Sequence, residues 1–304
     1  MPKHGGIDVG GTSIKYGLVL DHTLTFRNSV ITPKNQDDIR KILKEIISDL
    51  IEEGAEGIGI GFPGYIEQNQ GRFIWGPNLQ FEIDVAKLMN ELNFSNFKID
   101  NDANLAALAE YKNYYKERIR HLIFLSFGTG IGGGIIDNSL LIRGHGNAGE
   151  LGHIFISNEH LNVPCSCGKF GCLESLASAQ RWTKIVEELI KKDPKSKLSE
   201  LNKNKIKGSS LFTEDHNLNE NQIIERDKII DYISKGLVSL YEIFDNEVFV
   251  LGGAFTDETT YLIELLIKRI DYLYKDNVRT FPIIALSKLK SNAGILGAAY
   301  LLEG

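Results

Sequence analysis

Gly128-Thr129-Gly130-Ile131-Gly132-Gly133-Gly134 lies between apolar runs at 122–126 and 132–136. Gly128, Gly130 and Gly133 spell a literal G-x-G-x-x-G. A dinucleotide site needs that pattern to open a helix. Here Ile135-Ile136 follows at once, then the polar turn Asp137-Asn138 and another apolar stretch. The context is strand–loop–strand, which excludes the NAD reading. A second glycine turn, Gly10-Gly11-Thr12, joins a strand at 6–9 to one at 13–20, again as a hairpin. Two such loops suit a nucleotide whose phosphates lie in a cleft, and neither is a Walker loop.

Outward from these loops, strands and helices alternate. A third strand fits 24–31. Ile39, Ile42, Leu43, Ile46, Ile47 and Leu50 give helical spacing over 37–53. A strand at 57–61, the loop Phe62-Pro63-Gly64, a strand at 97–100 and a helix at 103–115 follow. A new unit opens near Leu122. The polar segment 191–224 reads as a surface excursion with short helices. Helices at 229–244, 261–274 and 293–302 alternate with strands at 248–251 and 282–286. The pattern predicts a two-lobed α/β protein. The lobes are 1–118, completed by the C-terminal helix 291–304, and 119–290.

With 304 residues the chain is long enough for two domains. Its net charge of -6 argues against a nucleic-acid partner, which wants a basic surface. No apolar run approaches the ~20 residues that span a bilayer. The first strand starts so near Met1 that neither a leader nor an N-terminal DNA-binding domain is expected, and a cytoplasmic protein is.

All three cysteines fall in Cys165-Ser-Cys167-Gly-Lys-Phe-Gly-Cys172-Leu-Glu174, and His153 lies twelve residues upstream of the first. Cys3His is a usual ligand set for a closed, structural zinc site, and a reducing compartment disfavours a disulfide. Glu150 and His153 share a face if their segment is helical. A metal-bound His153 keeps one ring nitrogen for another partner. Glu150, His153 and Glu174 would form a set of polar groups suited to sugar hydroxyls.

Two further motifs carry chemistry. Asp8-Val-Gly10-Gly11-Thr12-Ser-Ile-Lys15 combines a carboxylate fit for hydrated Mg2+ with a turn fit for phosphate. Asp102 stands between a strand and a helix, where it reads either as an N-cap or as a general base.

The ensemble resembles the ROK (repressor, ORF, kinase) family of sugar kinases, within the actin-like ATPase fold group. The matching pieces are the Asp8–Lys15 motif, Gly61-Phe-Pro-Gly64, Pro77-Asn78-Leu79, Asn101-Asp-Ala-Asn104, the 128–134 loop and Gly146-Asn-Ala-Gly-Glu-Leu-Gly-His153. The cysteine block, Leu251-Gly-Gly-Ala254 and Ala293-Gly-Ile-Leu-Gly-Ala-Ala299 complete the order. The segment 191–224 matches nothing in the family pattern.

The resemblance implies an ATP-dependent hexose kinase, with ATP, Mg2+ and structural Zn2+. Asp102 would be the base that deprotonates a sugar hydroxyl, usually the 6-OH. Gly64, Asn78, Asn101, Asp102, Glu150, His153 and Glu174 would hold the pyranose. Asp8, Gly10, Gly11, Thr12, Lys15, Gly128, Thr129 and Gly130 would face the phosphates and magnesium, with Gly252 and Gly253 beside the adenosine. Glucose leads as substrate; N-acetylmannosamine and N-acetylglucosamine are the alternatives. A sugar-sensing regulator is the weaker reading, since sensors carry an N-terminal helix-turn-helix. Family habit implies a homodimer or homotetramer.

Overall fold

A computed structural model describes residues 2–158, 163–255, 259–275 and 278–303. The first half of the chain forms, in order, β1 (His4–Val9), β2 (Ser13–Leu20), β3 (Thr23–Ile31), α1 (Gln36–Glu52) and β4 (Gly57–Phe62). It continues with β5 (Tyr65–Glu67), β6 (Arg72–Trp75), β7 (Ile83–Asp84), α2 (Val85–Glu91), β8 (Phe97–Asn101) and α3 (Asp102–Glu110). Five of these strands make a sheet in the order β3-β2-β1-β4-β8. β1 pairs antiparallel with β2 and parallel with β4, and β4 runs parallel to β8. α1 buries Ile39, Leu43, Ile46, Ile47 and Leu50 in the same core as Ile7, Ile58 and Ile60 of the sheet. Its apolar stripe repeats at helical spacing, and Asn35 caps its start by accepting from the Asp38 N–H.

The three short antiparallel strands β5, β6 and β7, and helix α2, have no counterpart in the sequence reading. Strands of two to four residues are too short to show a period of two. The helix expected over 103–115 also divides. Its α-helical stretch ends at Glu110, and Tyr111–Tyr115 forms a π-helical turn closed by the Lys116 N–H on Tyr111 O, five residues back.

The chain continues with β9 (Leu122–Phe127), β10 (Ile131–Asp137), β11 (Leu140–Leu141), α4 (Leu173–Ala177), α5 (Ala179–Lys192), α6 (Lys197–Leu201) and α7 (Glu220–Phe244). β12 (Val248–Gly253), α8 (Thr260–Leu273), β13 (Ile283–Leu286) and α9 (Ala293–Tyr300) complete it. The second large sheet runs β11-β10-β9-β12-β13, which repeats the third-second-first-fourth-fifth strand order of the first. α7 begins nine residues earlier than the apolar spacing suggests. A capping box at Asn219 and Gln222 starts it there.

The chain divides into two units. One is Met1–Arg120 with Gly134–Gly149 and Lys288–Gly304; the other is His121–Gly133 with Glu150–Ser287. The lobes expected from the sequence differ from this division in placing 134–149 with the second. In the first unit the glycines of β1 and β4 let α9 lie with its backbone on the sheet. A Cβ at Gly59 would stand 1.8 Å from Ala298 O. The start of α9 is thereby held against Asp8, where a Cβ at Gly294 would lie 2.4 Å from the Asp8 Cγ.

Candidate active site

In the first unit, Asp8 and Lys15 face each other across the β1–β2 hairpin, with Lys15 Nζ 3.8 Å from Asp8 Oδ2. Burial pushes the Asp8 carboxyl above the usual carboxylate range, against the pull of Lys15. The connecting turn has its carbonyls engaged. Thr32 donates from Oγ1 to Gly10 O at 2.6 Å and from its N–H to Thr12 O at 3.0 Å, and Lys34 Nζ donates to Gly11 O at 2.8 Å. A turn with its carbonyls tied away can present amides to an anion. A buried carboxylate beside it suits a divalent cation, which would offset the cost of burying the charge. Asp8, Gly10, Gly11, Thr12 and Lys15 thus fit a magnesium–phosphate group. Thr32 and Lys34, absent from the sequence reading, are their supports.

Asn78 occupies the tip of a tight turn in which Gly76 and Leu79 exchange backbone hydrogen bonds of 3.0 and 3.2 Å. Its side chain lies against the Gly10-Gly11-Thr12 turn, since a Cβ on Gly11 would sit 2.6 Å from Asn78 Cγ. Gly64, at φ +129, packs on the same segment, and a Cβ there would meet Trp75 O at 2.4 Å. Asn101 Nδ2 donates to Gly64 O at 3.3 Å. Gly64, Asn78, Asn101 and Gly11 therefore belong to one continuous set of contacts.

The helix cap is Asn101, not Asp102. Asn101 Oδ1 accepts from the Ala103 and Asn104 N–H groups at 2.9 and 3.4 Å. Asp102 is the first helical residue, and its Oδ1 accepts from the Ala103 N–H at 2.8 Å. The side-chain oxygen of Asn101 is thus engaged with the helix, and its amide with Gly64.

In the second unit, Cys165, Cys167, Cys172 and His153 bring one ligand atom each within 4.8 Å of one another. Zinc–sulfur bonds of about 2.3 Å in a tetrahedron set ligand separations near ~3.8 Å. Cys167 Sγ and Cys172 Sγ are 3.8 Å apart, and Cys165 Sγ is 3.4 Å from His153 Nδ1. The donor set fits a closed zinc site. Its imidazole atom would be Nδ1, with Nε2 facing Glu150 Oε2 at 3.7 Å. Glu150 and His153 sit on a single 3-10 turn, Leu151–His153, which gives the shared face expected of a helix. Burial and, further down, the Glu174 charge push the Glu150 carboxyl upward, with His153 opposing.

Glu174, in α4, joins the cysteine turn to the glycine loop. Its Oε1 accepts from Ser166 Oγ and, at 3.4 Å, from Cys165 Sγ; its Oε2 accepts from the Ile131 N–H at 3.0 Å. A Cβ on Gly130 would come within 2.2 Å of that Oε2. Gly130 is therefore the seat of Glu174 as well as a candidate phosphate neighbour. Gly128 turns tightly, its N–H on Gly130 O at 2.8 Å, while its carbonyl takes the α5 N–H of Gln180 at 3.1 Å. Thr129 is exposed beside it. Gly252 and Gly253 pair with Ser126 and Phe127, directly at the root of the same loop.

Residues 4–304 match the model of the ROK family. The chain belongs to the ROK family. Among ROK relatives, a glucokinase of Thermotoga maritima is 31% identical, over 98% of this chain and 96% of its own. A xylose repressor of Caldicellulosiruptor bescii is also 31% identical, over 86% of this chain and 68% of its own. The crystal structure of a ROK family glucokinase from Streptomyces griseus, in complex with glucose and AMPPNP, superposes with a TM-score of 0.81. It is 27% identical, with 98% of each chain covered. The ROK fold is the actin-like ATPase arrangement of mixed sheets and helices, matching the duplicated strand order. No helix among the described residues is long and apolar enough to cross a membrane.

Proposed function

We propose that this ROK chain transfers the terminal phosphoryl group of ATP to a hexose hydroxyl, with glucose the leading substrate. The observation that carries it is the contact of Asn78 with Gly11. A side chain suited to hydroxyls touches the turn suited to phosphates, and Asp102 stands one residue beyond Asn101 in the same set of contacts. Asp102 takes the proton from the attacking hydroxyl. Lys15 and the 10–12 turn would hold phosphate oxygens, and Asp8 would hold a hydrated magnesium ion, whose charge would offset that of the transferring group. In the second unit, Glu150, His153 and Glu174 accept from pyranose hydroxyls. The 128–130 loop and Gly252-Gly253 serve the nucleotide. The four zinc ligands fix the His153 ring and the start of α4. Three cysteines held as zinc thiolates suit a reducing compartment such as the cytoplasm.

N-acetylhexosamine phosphorylation is the second reading of the same residues, and it differs only in what C2 carries. The glucose analogue lacking the C6 hydroxyl tests the chemistry. It is expected to compete with glucose and release no ADP. ADP release with this analogue would move the reaction to another hydroxyl.

A further inference from the structure

We propose that Arg143 and Asp100 are positioning residues, whose ion pair locks the Asn101-Asp102 junction to the turn leading into Glu150. The inference rests on the kinase reading above and assigns work to two side chains outside its site.

Asp100 is fully buried, at 0% exposure, in β8 two residues before the base. An apolar residue would fill that place at less cost, because a buried carboxylate must be fully satisfied. Both of its oxygens are engaged. Oδ1 accepts from the Asn101 N–H at 2.8 Å and from Asn104 Nδ2 at 3.0 Å. Oδ2 accepts from Arg143 Nε at 2.7 Å. Asn101 and Asn104 flank Asp102 on either side in the first turn of α3. One carboxylate thus fixes the backbone before Asp102 and a side chain after it.

Arg143 works at both of its ends. Its guanidinium meets Asp100, while its own carbonyl accepts from the Gly146 and Ala148 N–H groups at 2.8 and 3.0 Å. Those bonds fold 143–148 into the turn that runs on to Glu150. Arg143 therefore ties the position of the base to the 143–148 turn, which precedes Glu150 in sequence. Arginine suits this better than lysine, because its planar fork fixes direction as well as charge.

A general base held about 1 Å out of place loses on the order of 10²-fold in rate. Three variants with melting temperature and steady-state kinetics test the proposal. Arg143→Met alone leaves a buried carboxylate uncompensated and is expected to melt lower. Asp100→Asn with Arg143→Met removes that charge, so its melting temperature should return close to wild type. Its kcat should stay at least ~10-fold down and its sugar KM raised, with the ATP KM little changed. Arg143→Lys keeps the charge without the directed Nε–H; it should melt near wild type, also with kcat reduced. Wild-type kcat in the double variant or in Arg143→Lys would show that the pair only stabilises the fold, and would overturn the inference alone. Parallel loss in sugar and ATP KM would overturn it as general damage. A wild type that phosphorylates no sugar would overturn the kinase reading and this inference together.

Discussion

Asp102→Ala is expected to lower kcat by roughly 10²–10⁴-fold, the contribution typical of a positioned general base. In barrier terms that is about 3–5 kcal/mol, at about 1.36 kcal/mol per factor of ten. Stability should change far less. The cap belongs to Asn101, whose Oδ1 takes the Ala103 and Asn104 N–H groups. Asp102 contributes a favourable charge in the first helical turn, about 0.3–1 kcal/mol. Asn101→Ala should instead carry a stability loss of ~1 kcal/mol from the missing cap. Asp102→Asn keeps the shape of the side chain and should lose kcat as Ala does. Parallel thermal melts and initial rates separate the roles. Near-normal turnover in Asp102→Ala would remove Asp102 from the mechanism.

The second large effect concerns the cysteine knot. Purified protein should hold about one zinc per chain, with thiolate ligation and all four positions filled by protein. A closed site offers no place for water, so the metal's part is structural. It would hold His153 through Nδ1, leaving Nε2 toward Glu150, and would fix the turn before Glu174. Ser166, next to the ligand Cys165, donates its Oγ–H to the Glu174 carboxylate, so a loosened knot disturbs Glu174 directly. Cys172→Ser should raise the sugar KM by at least the ~10–100-fold typical of losing outer-shell support at a metal site. The ATP KM should move little. Zinc-free active enzyme on metal analysis would sink the site. An unchanged sugar KM in Cys172→Ser would separate the knot from sugar recognition.

What the sequence disclosed was whatever local pattern could carry. The 10–12 and 128–134 loops announced hairpins, because glycines between β-branched runs admit few other structures. The cysteine spacing announced a ligand cluster, and four ligand atoms do converge. Asp102 drew notice by its place between strand and helix. Its N-cap reading does not hold, since Asn101 and Asp102 both suit that role and only geometry chooses Asn101. Contacts between distant segments left no local trace. The Asn78–Gly11 contact depends on strands too short for periodicity to reveal. Asp100 and Arg143 meet across 43 positions, and neither falls in a spacing that predicts the other. Gly130 read as a phosphate neighbour, and only the fold shows Glu174 lodged where its side chain would be.

The segment 191–224 holds the end of α5, then α6 and two 3-10 turns, Gly208–Leu211 and Asp215–Asn217, and the start of α7. Arg226 anchors it, buried in α7 and donating to Thr213 O and Asp215 Oδ1. This is a packed excursion, in keeping with the short helices that its composition suggested.

The measurement that bears most directly on the whole account is ADP release by wild-type protein given ATP, magnesium and a panel of hexoses and N-acetylhexosamines. ATP-dependent turnover with glucose, one ADP per sugar phosphate formed and none without sugar, is the predicted result. Turnover confined to an N-acetylhexosamine would keep the kinase and replace the sugar. No ADP release with any member of the panel, from protein that is folded and loaded with zinc, would contradict the account.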